Sequence, residues 1–179
     1  MVGANGSDAR ATVAVIGAGI MGSAMTRNLV AAGVNTRVWD GSAAATGPLG
    51  DAGAVVAASA RAAVQDADVV ITMLPTADAV ESVIFDGGVA DAFADGSVWA
   101  QMGTIGVEAT RRIAGRLAAQ RPGVMFVDAP VSGSKGPAEQ GQLLILARGP
   151  PPRLTGWARC SASSAARPCG SVRPARAVW

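Results

Sequence analysis

Short apolar runs alternate with stretches of helical periodicity along most of this chain. The apolar runs predict seven strands, at Thr12–Ile16, Thr36–Asp40, Ala54–Ala57, Asp68–Leu74, Ser97–Gln101, Val124–Asp128 and Leu143–Ala147. The stretches between them predict four helices, at Ile20–Ala32, Ser59–Asp66, Ala77–Phe85 and Gly106–Gln120. Because strands alternate with helices, the pattern predicts an α/β fold with a doubly wound parallel sheet that is covered on both faces.

The pattern ends at Arg148, where the composition changes. The last 32 residues contain six Arg and five Pro but only one Leu and two Val, which leaves little apolar area to offset chain entropy. We therefore expect a flexible leader over residues 1–11, one folded domain over residues 12–147 and a disordered tail over residues 148–179. The tail also resembles a GC-rich gene translated out of frame, and both interpretations stay open at this point.

The formal net charge of +2 is unevenly distributed. Residues 1–147 carry nine basic and thirteen acidic side chains, whereas residues 148–179 carry six Arg and no acid. Because the basic charge belongs to the tail, we expect no nucleic-acid partner for the folded part. No apolar run is long enough to span a bilayer, and Met1–Arg10 lacks the order of a signal peptide. We expect a cytoplasmic protein with no membrane partner.

Two absences from the sequence and the scarcity of lysine exclude several kinds of active site. The chain has no His, no Tyr and a single lysine, Lys135. A Ser-His-Asp triad, a Cys-His pair and a Tyr-Lys proton relay are therefore impossible. Cys160 and Cys169 both lie in the tail, without the further Cys or His ligands that a zinc site needs, so we expect no metal site.

A glycine-rich turn follows the first predicted strand and opens the first predicted helix. Its sequence is Gly17-Ala18-Gly19-Ile20-Met21-Gly22. Gly17 permits a tight turn, Gly19 lets a pyrophosphate approach the backbone, and Gly22 lets the helix pack close to the sheet. The helix N-terminus then presents its N–H groups and positive dipole end to the phosphates. The turn predicts a dinucleotide site of the Rossmann type.

An acidic residue, Asp40, closes the second predicted strand. In a dinucleotide fold, an acid at this position accepts hydrogen bonds from the adenosine ribose hydroxyls and repels a 2′-phosphate. Gly41 and Ser42 supply no cation to neutralise that phosphate, so the sequence favours NAD over NADP. The alternative is that Asp40 only initiates a turn before Gly41.

Three further candidate stretches follow predicted strands, at the edge where parallel sheets bind ligands. The stretch Met73–Pro75 would line a cofactor cleft, or it is only a buried strand stopped by proline. Thr104, after Gly103, would offer a hydroxyl to the nicotinamide half, or it caps a helix. The loop Ser132–Glu139 is rich in small residues and hydroxyls, which suits a carboxylate, or it is an ordinary turn.

Together these motifs resemble the β-hydroxyacid dehydrogenase family, which includes 3-hydroxyisobutyrate dehydrogenase and is related to 6-phosphogluconate dehydrogenase. In chain order they are Gly17–Gly22 with Met25 and Asn28-Leu29, Ile71–Pro75, Gly103-Thr104 and Asp128–Gly133. The glyoxylate/succinic semialdehyde reductase branch is the most similar, by Val131–Lys135, Ala138-Glu139, Gly141–Leu143 and Ile145–Ala147. The resemblance covers residues 12–147.

The resemblance implies hydride transfer between a nicotinamide cofactor, NAD or NADP, and a short hydroxy acid or its semialdehyde. It assigns the pyrophosphate to Gly17, Gly19, Ile20, Met21 and Gly22. It assigns the adenosine ribose to Asp40, and the nicotinamide half to Leu74, Pro75 and Thr104. It assigns a small substrate carboxylate to Ser132, Gly133 and Ser134.

The chain departs from the family pattern in two respects. Asp40-Gly41-Ser42 replaces the Asn-Arg-Thr type of sequence that NADP users of the family carry. The family's general acid/base is a lysine on a helix beyond the nucleotide domain, and no lysine follows Lys135, which lies in the predicted substrate loop. The helical second domain, through which family members form homo-oligomers, also has no counterpart. We therefore expect a truncated oxidoreductase without a catalytic residue and with little or no turnover.

Two other functions stay open on the sequence. A non-catalytic dinucleotide-binding module would carry the same glycine-rich turn, and it would show no turnover even with a second domain restored. A flavin-binding domain also uses such a turn, and an acid after the second strand suits FAD. The loop Ser132–Glu139 does not follow from the flavin hypothesis, which predicts the visible absorbance of a bound flavin.

Overall fold

The structure, a computed structural model, describes residues 11–148. Its main sheet has six strands: β1 Thr12–Ile16, β2 Asn35–Trp39, β3 Val55–Val56, β4 Val69–Thr72, β5 Val98–Gln101 and β6 Met125–Asp128. They lie in the order β3-β2-β1-β4-β5-β6, and every pairing is parallel. This is the strand order of the Rossmann fold. The predicted α/β class and doubly wound sheet are therefore confirmed.

Six α-helices accompany the strands within the described residues: α1 Ile20–Ala31, α2 Ala43–Asp51, α3 Ala60–Val64, α4 Ala77–Glu81, α5 Val107–Gln120 and α6 Lys135–Glu139. A π-helical turn, Ser82–Asp86, continues α4, and a 3-10 turn follows at Ala90–Ala92. Ser59 caps α3 as the sequence predicts, because its Oγ accepts a hydrogen bond from the Ala62 N–H at 3.1 Å.

Both faces of the sheet are buried, as the alternation along β1 illustrates. Ala14 and Ile16 belong to one apolar cluster, which also contains residues of α3, α4 and α5. Val13 and Val15 belong to a second cluster on the opposite face. Side chains of a strand alternate between the faces, so a strand buried on both sides is apolar throughout. This explains why β1 and β4 are continuous apolar runs in the sequence.

The order of strand addition reverses between β1 and β4. These strands are neighbours in the sheet, and Ile16 at the end of β1 pairs with Thr72 at the end of β4. Their carboxyl ends therefore meet at the same edge, and the next segments leave towards different strands. Open α/β sheets bind ligands at such a switch point. The glycine-rich turn leaves the sheet here.

Helix α2 was not expected from the sequence. Gly47, Pro48 and Gly50 are typical of a turn, yet they lie within this helix. Leu49 is 1% exposed and packs in the second apolar cluster, so tertiary burial outweighs poor helix propensity. A Cβ at Gly50 would lie 3.1 Å from a methyl group of Val56, so a small residue suits the contact with β3.

The predicted seventh strand, Leu143–Ala147, is wrong in its extent and its pairing. The observed strand, β8 Leu144–Ile145, pairs antiparallel with a short strand β7, Val131–Ser132, in a separate sheet. After β6 the chain passes through Ala129 and Pro130 into β7, and β8 pairs with β7 instead of adding a parallel strand to β6. The segment between β7 and β8 contains α6, which was not predicted from the sequence.

The other differences are at the ends of elements. The predicted strand Asp68–Leu74 is observed as β4 Val69–Thr72, and Ala54–Ala57 as the two residues of β3. The predicted leader, but for Ala11, and the predicted tail after Arg148 lie outside the described residues. Arg148 itself forms an isolated antiparallel bridge with Asp128. Among residues 11–148, no helix is long and apolar enough to cross a membrane.

Candidate functional site

The glycine-rich turn joins β1 to α1 and has no room for side chains at two of its positions. Gly17 has a φ of +102°, and a Cβ there would lie 2.5 Å from the Met73 carbonyl oxygen. A Cβ at Gly22 would overlap the carbonyl oxygen of Gly17. Both glycines are therefore required by the fold itself, because the first turn of α1 packs directly on the turn that precedes it.

Gly19 differs from these two glycines. It precedes α1 with a φ of −65°, which any residue adopts, and a Cβ there would have no described atom within 4 Å. No side chain caps α1, and its first turn carries no acidic residue. The neighbouring Ile20 is 67% exposed although it is a large apolar side chain. A bare helix N-terminus beside open space and exposed apolar area is suited to a ligand with a phosphate group.

Asp40 lies against the glycine-rich turn at the end of β2. Its Oδ2 accepts a hydrogen bond from the Ala18 N–H at 2.7 Å, and its Oδ1 accepts one from the Ser42 N–H at 2.9 Å. The second bond is the turn contact that the alternative interpretation expects. The first joins the carboxylate to the glycine-rich turn. Each oxygen keeps a further lone pair, so the residue is able to serve both roles.

The predicted nicotinamide residues follow β4 and β5 and lie close together. Leu74 is half-buried, while Pro75 and Thr104 are exposed. A Cβ at Gly103 would lie 2.5 Å from the Leu74 carbonyl oxygen, so the turn after β5 rests against the turn after β4. The Leu74 side chain also approaches within 3.2 Å of the Cβ position at Gly17. The structure therefore brings the β4 and β5 turns to the glycine-rich turn.

A buried polar group beside these turns was missed by the sequence analysis. Gln101 is fully buried at the end of β5, and its side-chain amide bonds to both the N–H and the carbonyl of Gly103, at 2.9 and 2.7 Å. Thr72 donates to Gln101 Oε1 at 3.4 Å and accepts from the Trp99 indole N–H at 2.9 Å. The available signal was that two polar residues, Thr72 and Gln101, end two otherwise apolar strands.

The predicted substrate residues lie where β7 leads into α6: Ser132 ends β7, and the loop Gly133-Ser134 follows. Ser132, Gly133 and Ser134 are all exposed. Gly133 has a φ of +146°, and Leu143 packs 2.7 Å from its Cβ position, so a larger residue does not fit there. The loop joins the rest of the site through α1, because the Asn28 side-chain amide donates to the Ala138 carbonyl at 2.8 Å. Within residues 11–148, no hydrogen bond joins these three residues directly to the glycine-rich turn.

Two charged groups border this loop. Lys135 pairs with Glu139 on the exposed surface of α6, with Nζ and Oε1 3.8 Å apart. Asp128 ends β6, and burial raises the pKa of its carboxyl above the ordinary value, while the positive charge of Arg148 acts in the opposite direction. No cluster of acidic, Cys or His side chains within residues 11–148 is arranged to hold a metal ion.

Comparison with known proteins agrees with this geometry. Residues 12–166 match the family described as the NAD binding domain of 6-phosphogluconate dehydrogenase. The chain belongs to this family. The predicted resemblance and the prediction of an NAD(P)-binding oxidoreductase domain are therefore confirmed. Members of the family are NAD(P)-dependent hydroxyacid dehydrogenases and reductases.

Individual relatives extend the comparison. Glyoxylate/succinic semialdehyde reductase 1 of Arabidopsis thaliana is 38% identical over 138 residues, which are 76% of this chain and 47% of the relative. NAD-dependent L-serine dehydrogenase of Pseudomonas aeruginosa is 41% identical over 76% of this chain and 46% of its own length. A structure of Mycobacterium tuberculosis 3-hydroxyisobutyrate dehydrogenase with L-serine has a TM-score of 0.77 and 32% identity, covering 87% of this chain and 51% of that one. The chain thus spans about half the length of these relatives.

Proposed function

We propose that this chain binds NAD in preference to NADP, along the edge of the sheet where β1 and β4 end. The open space at Gly19, in front of the uncapped N-terminus of α1, is the observation that carries the proposal. In this proposal Gly17, Gly19, Ile20, Met21 and Gly22 bind the pyrophosphate. Packing alone explains why Gly17 and Gly22 must be glycine, because a Cβ at either position would clash with backbone atoms. Packing does not explain Gly19, so we assign its lack of a side chain to ligand binding.

The preference for NAD rests on Asp40. Its carboxylate is fixed by the N–H groups of Ala18 and Ser42. A fixed anion accepts hydrogen bonds from the two ribose hydroxyls and repels a phosphate at the 2′ position. Gly41 and Ser42 add no positive charge beside it. NADPH would therefore bring a second anion next to an existing one.

The remaining site residues complete the proposal. Leu74, Pro75 and Thr104 contact the nicotinamide half, supported by the close approach of the β4 and β5 turns. Ser132, Gly133 and Ser134 bind the carboxylate of a small hydroxy acid or semialdehyde. Hydride passes between the nicotinamide and that substrate in the whole enzyme. Such an enzyme needs a general acid for the substrate oxygen, which the resemblance assigns to a lysine that follows this domain.

Titration of the purified chain with NADH and with NADPH tests the cofactor proposal. We expect NADH to bind more tightly than NADPH. Asp40→Asn should lower the ratio of the NADPH dissociation constant to the NADH dissociation constant about tenfold. Asp51→Asn, at an exposed acid of α2, is the matched control and leaves the ratio unchanged. Tighter binding of NADPH by the unaltered chain would contradict the NAD preference. Binding of neither nucleotide would overturn the site.

We also propose that the 179-residue chain has little or no turnover by itself. Lys135 is its one lysine, and its exposed ammonium pairs with Glu139 on the surface of α6. The measurement is NADH consumption with glyoxylate and with succinic semialdehyde. A rate on the order of 1 per second or more would refute the proposal. The predicted cytoplasmic location stays a prediction, which cell fractionation tests.

A further inference from the structure

We propose that Gln101 is a positioning residue for the nicotinamide half of the cofactor. It would act through Gly103-Thr104, the turn after β5, and not by touching the cofactor. The inference rests on the proposed function, because it takes the turns after β4 and β5 as the nicotinamide end of the site. It adds a residue that neither the glycine motif nor the predicted site includes.

The side chain of Gln101 holds the turn at two points. Its Oε1 accepts from the Gly103 N–H at 2.9 Å, and its Nε2 donates to the Gly103 carbonyl at 2.7 Å. A primary amide is the side-chain group that offers a donor and an acceptor in one plane, which matches a peptide unit. These two hydrogen bonds follow directly after the last backbone hydrogen bond between β5 and β4, in which the Met102 N–H donates to the Thr72 carbonyl. The backbone of the turn is thereby fixed at the last residue before Thr104.

The anchor itself is embedded in the core. Gln101 is fully buried and pairs with Thr72 across the β4–β5 register. The Thr72 hydroxyl donates to Gln101 at 3.4 Å and accepts from the indole of Trp99, which is also fully buried. The rings of Phe85, Phe93 and Phe126 surround that indole edge-on at 5.1 to 5.9 Å between ring centroids. A chain of contacts thus runs from the aromatic core to the turn.

Gly103, the residue that Gln101 holds, has little space around it. A Cβ at Gly103 would lie 2.5 Å from the Leu74 carbonyl oxygen and 3.3 Å from Gln101 Oε1. Gly103 is therefore held between the β4 turn and the buried amide. Release of the amide would let the two turns separate, which would move Leu74 relative to Thr104. Within the described residues, no hydrogen bond joins Gln101 to Asp40 or to the glycine-rich turn, which belong to the proposed adenosine end.

The test compares NADH with ADP-ribose, which lacks the nicotinamide. We expect Gln101→Met, which keeps the size of the side chain but removes both amide bonds, to weaken NADH binding about five- to tenfold. ADP-ribose affinity should stay within about twofold of the unaltered chain, because the adenosine end is untouched. The full chain and calorimetric titration serve for both ligands.

Gly103→Ala reaches the same result by another route and keeps the proposal testable if Gln101→Met does not fold. Its Cβ would press on the Leu74 carbonyl while Gln101 stays intact, so NADH binding alone should weaken. Ile113→Val, on the buried face of α5, is the control for lost stability. It should lower the unfolding temperature without changing the ratio of NADH to ADP-ribose affinity.

The outcomes separate the two proposals. If NADH and ADP-ribose affinities fall together, or if neither changes in a folded variant, Gln101 has no positioning role. If the unaltered chain binds ADP-ribose and NADH equally well, the nicotinamide end lies elsewhere and the inference also fails. If the unaltered chain binds neither ligand, the proposed function itself is wrong.

Discussion

The two ends of the candidate site are built in different ways. At the proposed adenosine end, the shape of the glycine-rich turn follows from missing side chains, since a Cβ at Gly17 or Gly22 would meet backbone atoms. At the proposed nicotinamide end, the turn after β5 is held by a side chain, the buried amide of Gln101. The first device is local in sequence, whereas the second depends on Thr72 and Trp99 from across the sheet. Only the first is recognisable as a motif.

The largest effect expected is that of Gly22→Ala on stability. The added methyl would overlap the Gly17 carbonyl, so the first turn of α1 must move away from the sheet. We expect a loss of about 3 kcal/mol in the free energy of unfolding, measured by urea denaturation. Gly115→Ala on the exposed side of α5, where a Cβ meets nothing within 4 Å, is the control and should gain up to about 1 kcal/mol. Equal effects of the two substitutions would contradict the packing argument.

Trp99→Phe examines the other end of the site. The change removes the indole N–H that donates to Thr72 and leaves space in the aromatic cluster. We expect a loss of about 2 kcal/mol in unfolding free energy. Thermal unfolding followed by circular dichroism is the measurement. A loss below about 0.5 kcal/mol would mean that the hydrogen bond and the packing contribute little.

Gly19→Ala should separate binding from stability. Gly19 has a φ of −65° and no described atom within 4 Å of its Cβ position, so the fold accepts alanine. We expect NADH affinity to fall about tenfold or more, since the methyl occupies the path of the pyrophosphate. The unfolding free energy should change by less than about 1 kcal/mol. Unchanged NADH affinity in this variant would place the pyrophosphate elsewhere.

Asp128→Asn should give a small, pH-dependent gain in stability. Burial raises the pKa of the Asp128 carboxyl above 3.8, so the folded state favours its neutral form. The stabilising contribution of Asp128 is thus complete below pH 3.8, the ordinary pKa of the group, and it is lost as the pH rises through the raised pKa of the folded state. Asn stays neutral, so the variant should be more stable than the parent at about pH 7 and equal to it at low pH. Urea denaturation of both proteins at each pH measures the difference. A gain that does not depend on pH would rule out titration of this carboxyl as the cause.

The smallest effect expected is that of Ser97→Ala. Ser97 precedes β5 at the end opposite Gln101, and its buried hydroxyl has no hydrogen-bond partner within the described residues. Removal of the hydroxyl should change the unfolding free energy by no more than about 0.5 kcal/mol, or raise it slightly. Comparison with Gln101→Met tests whether removal of a buried polar group near β5 lowers the unfolding free energy only where that group has a hydrogen-bond partner. A loss for Ser97→Ala as large as that for Gln101→Met would show that a partner is not required.

Elements that depend on residues close together in the sequence were predictable, whereas elements that depend on distant residues were not. The strands β1 and β4, the helix α1 and the glycine-rich turn were predictable because each depends on neighbouring residues. Helix α2 was not, because burial of Leu49 outweighs the turn propensity of Gly47 and Pro48. Strand β7 was not predictable either. It pairs with β8 across the segment that contains α6, and the Asn28 side chain of α1 donates a hydrogen bond to the Ala138 carbonyl of α6.

The candidate site divides in the same way. Gly19 and Asp40 were identified from spacing alone, and the structure places the Asp40 carboxylate 2.7 Å from the Ala18 nitrogen. Gln101 was missed because a lone amide at the end of an apolar strand has no local pattern. Its importance comes from Gly103 beyond it and Thr72 beside it, and the second contact exists only after the sheet has formed.

The double engagement of Asp40 has a consequence for engineering. A designer who wishes to shift the proposed cofactor preference from NADH to NADPH would replace this acid and add a cation nearby. The same carboxylate, however, is the acceptor for two main-chain N–H groups, those of Ala18 and Ser42. Truncation to alanine would leave both donors without their acceptor and loosen the glycine-rich turn. A successful redesign therefore has to supply a replacement oxygen along with the new charge.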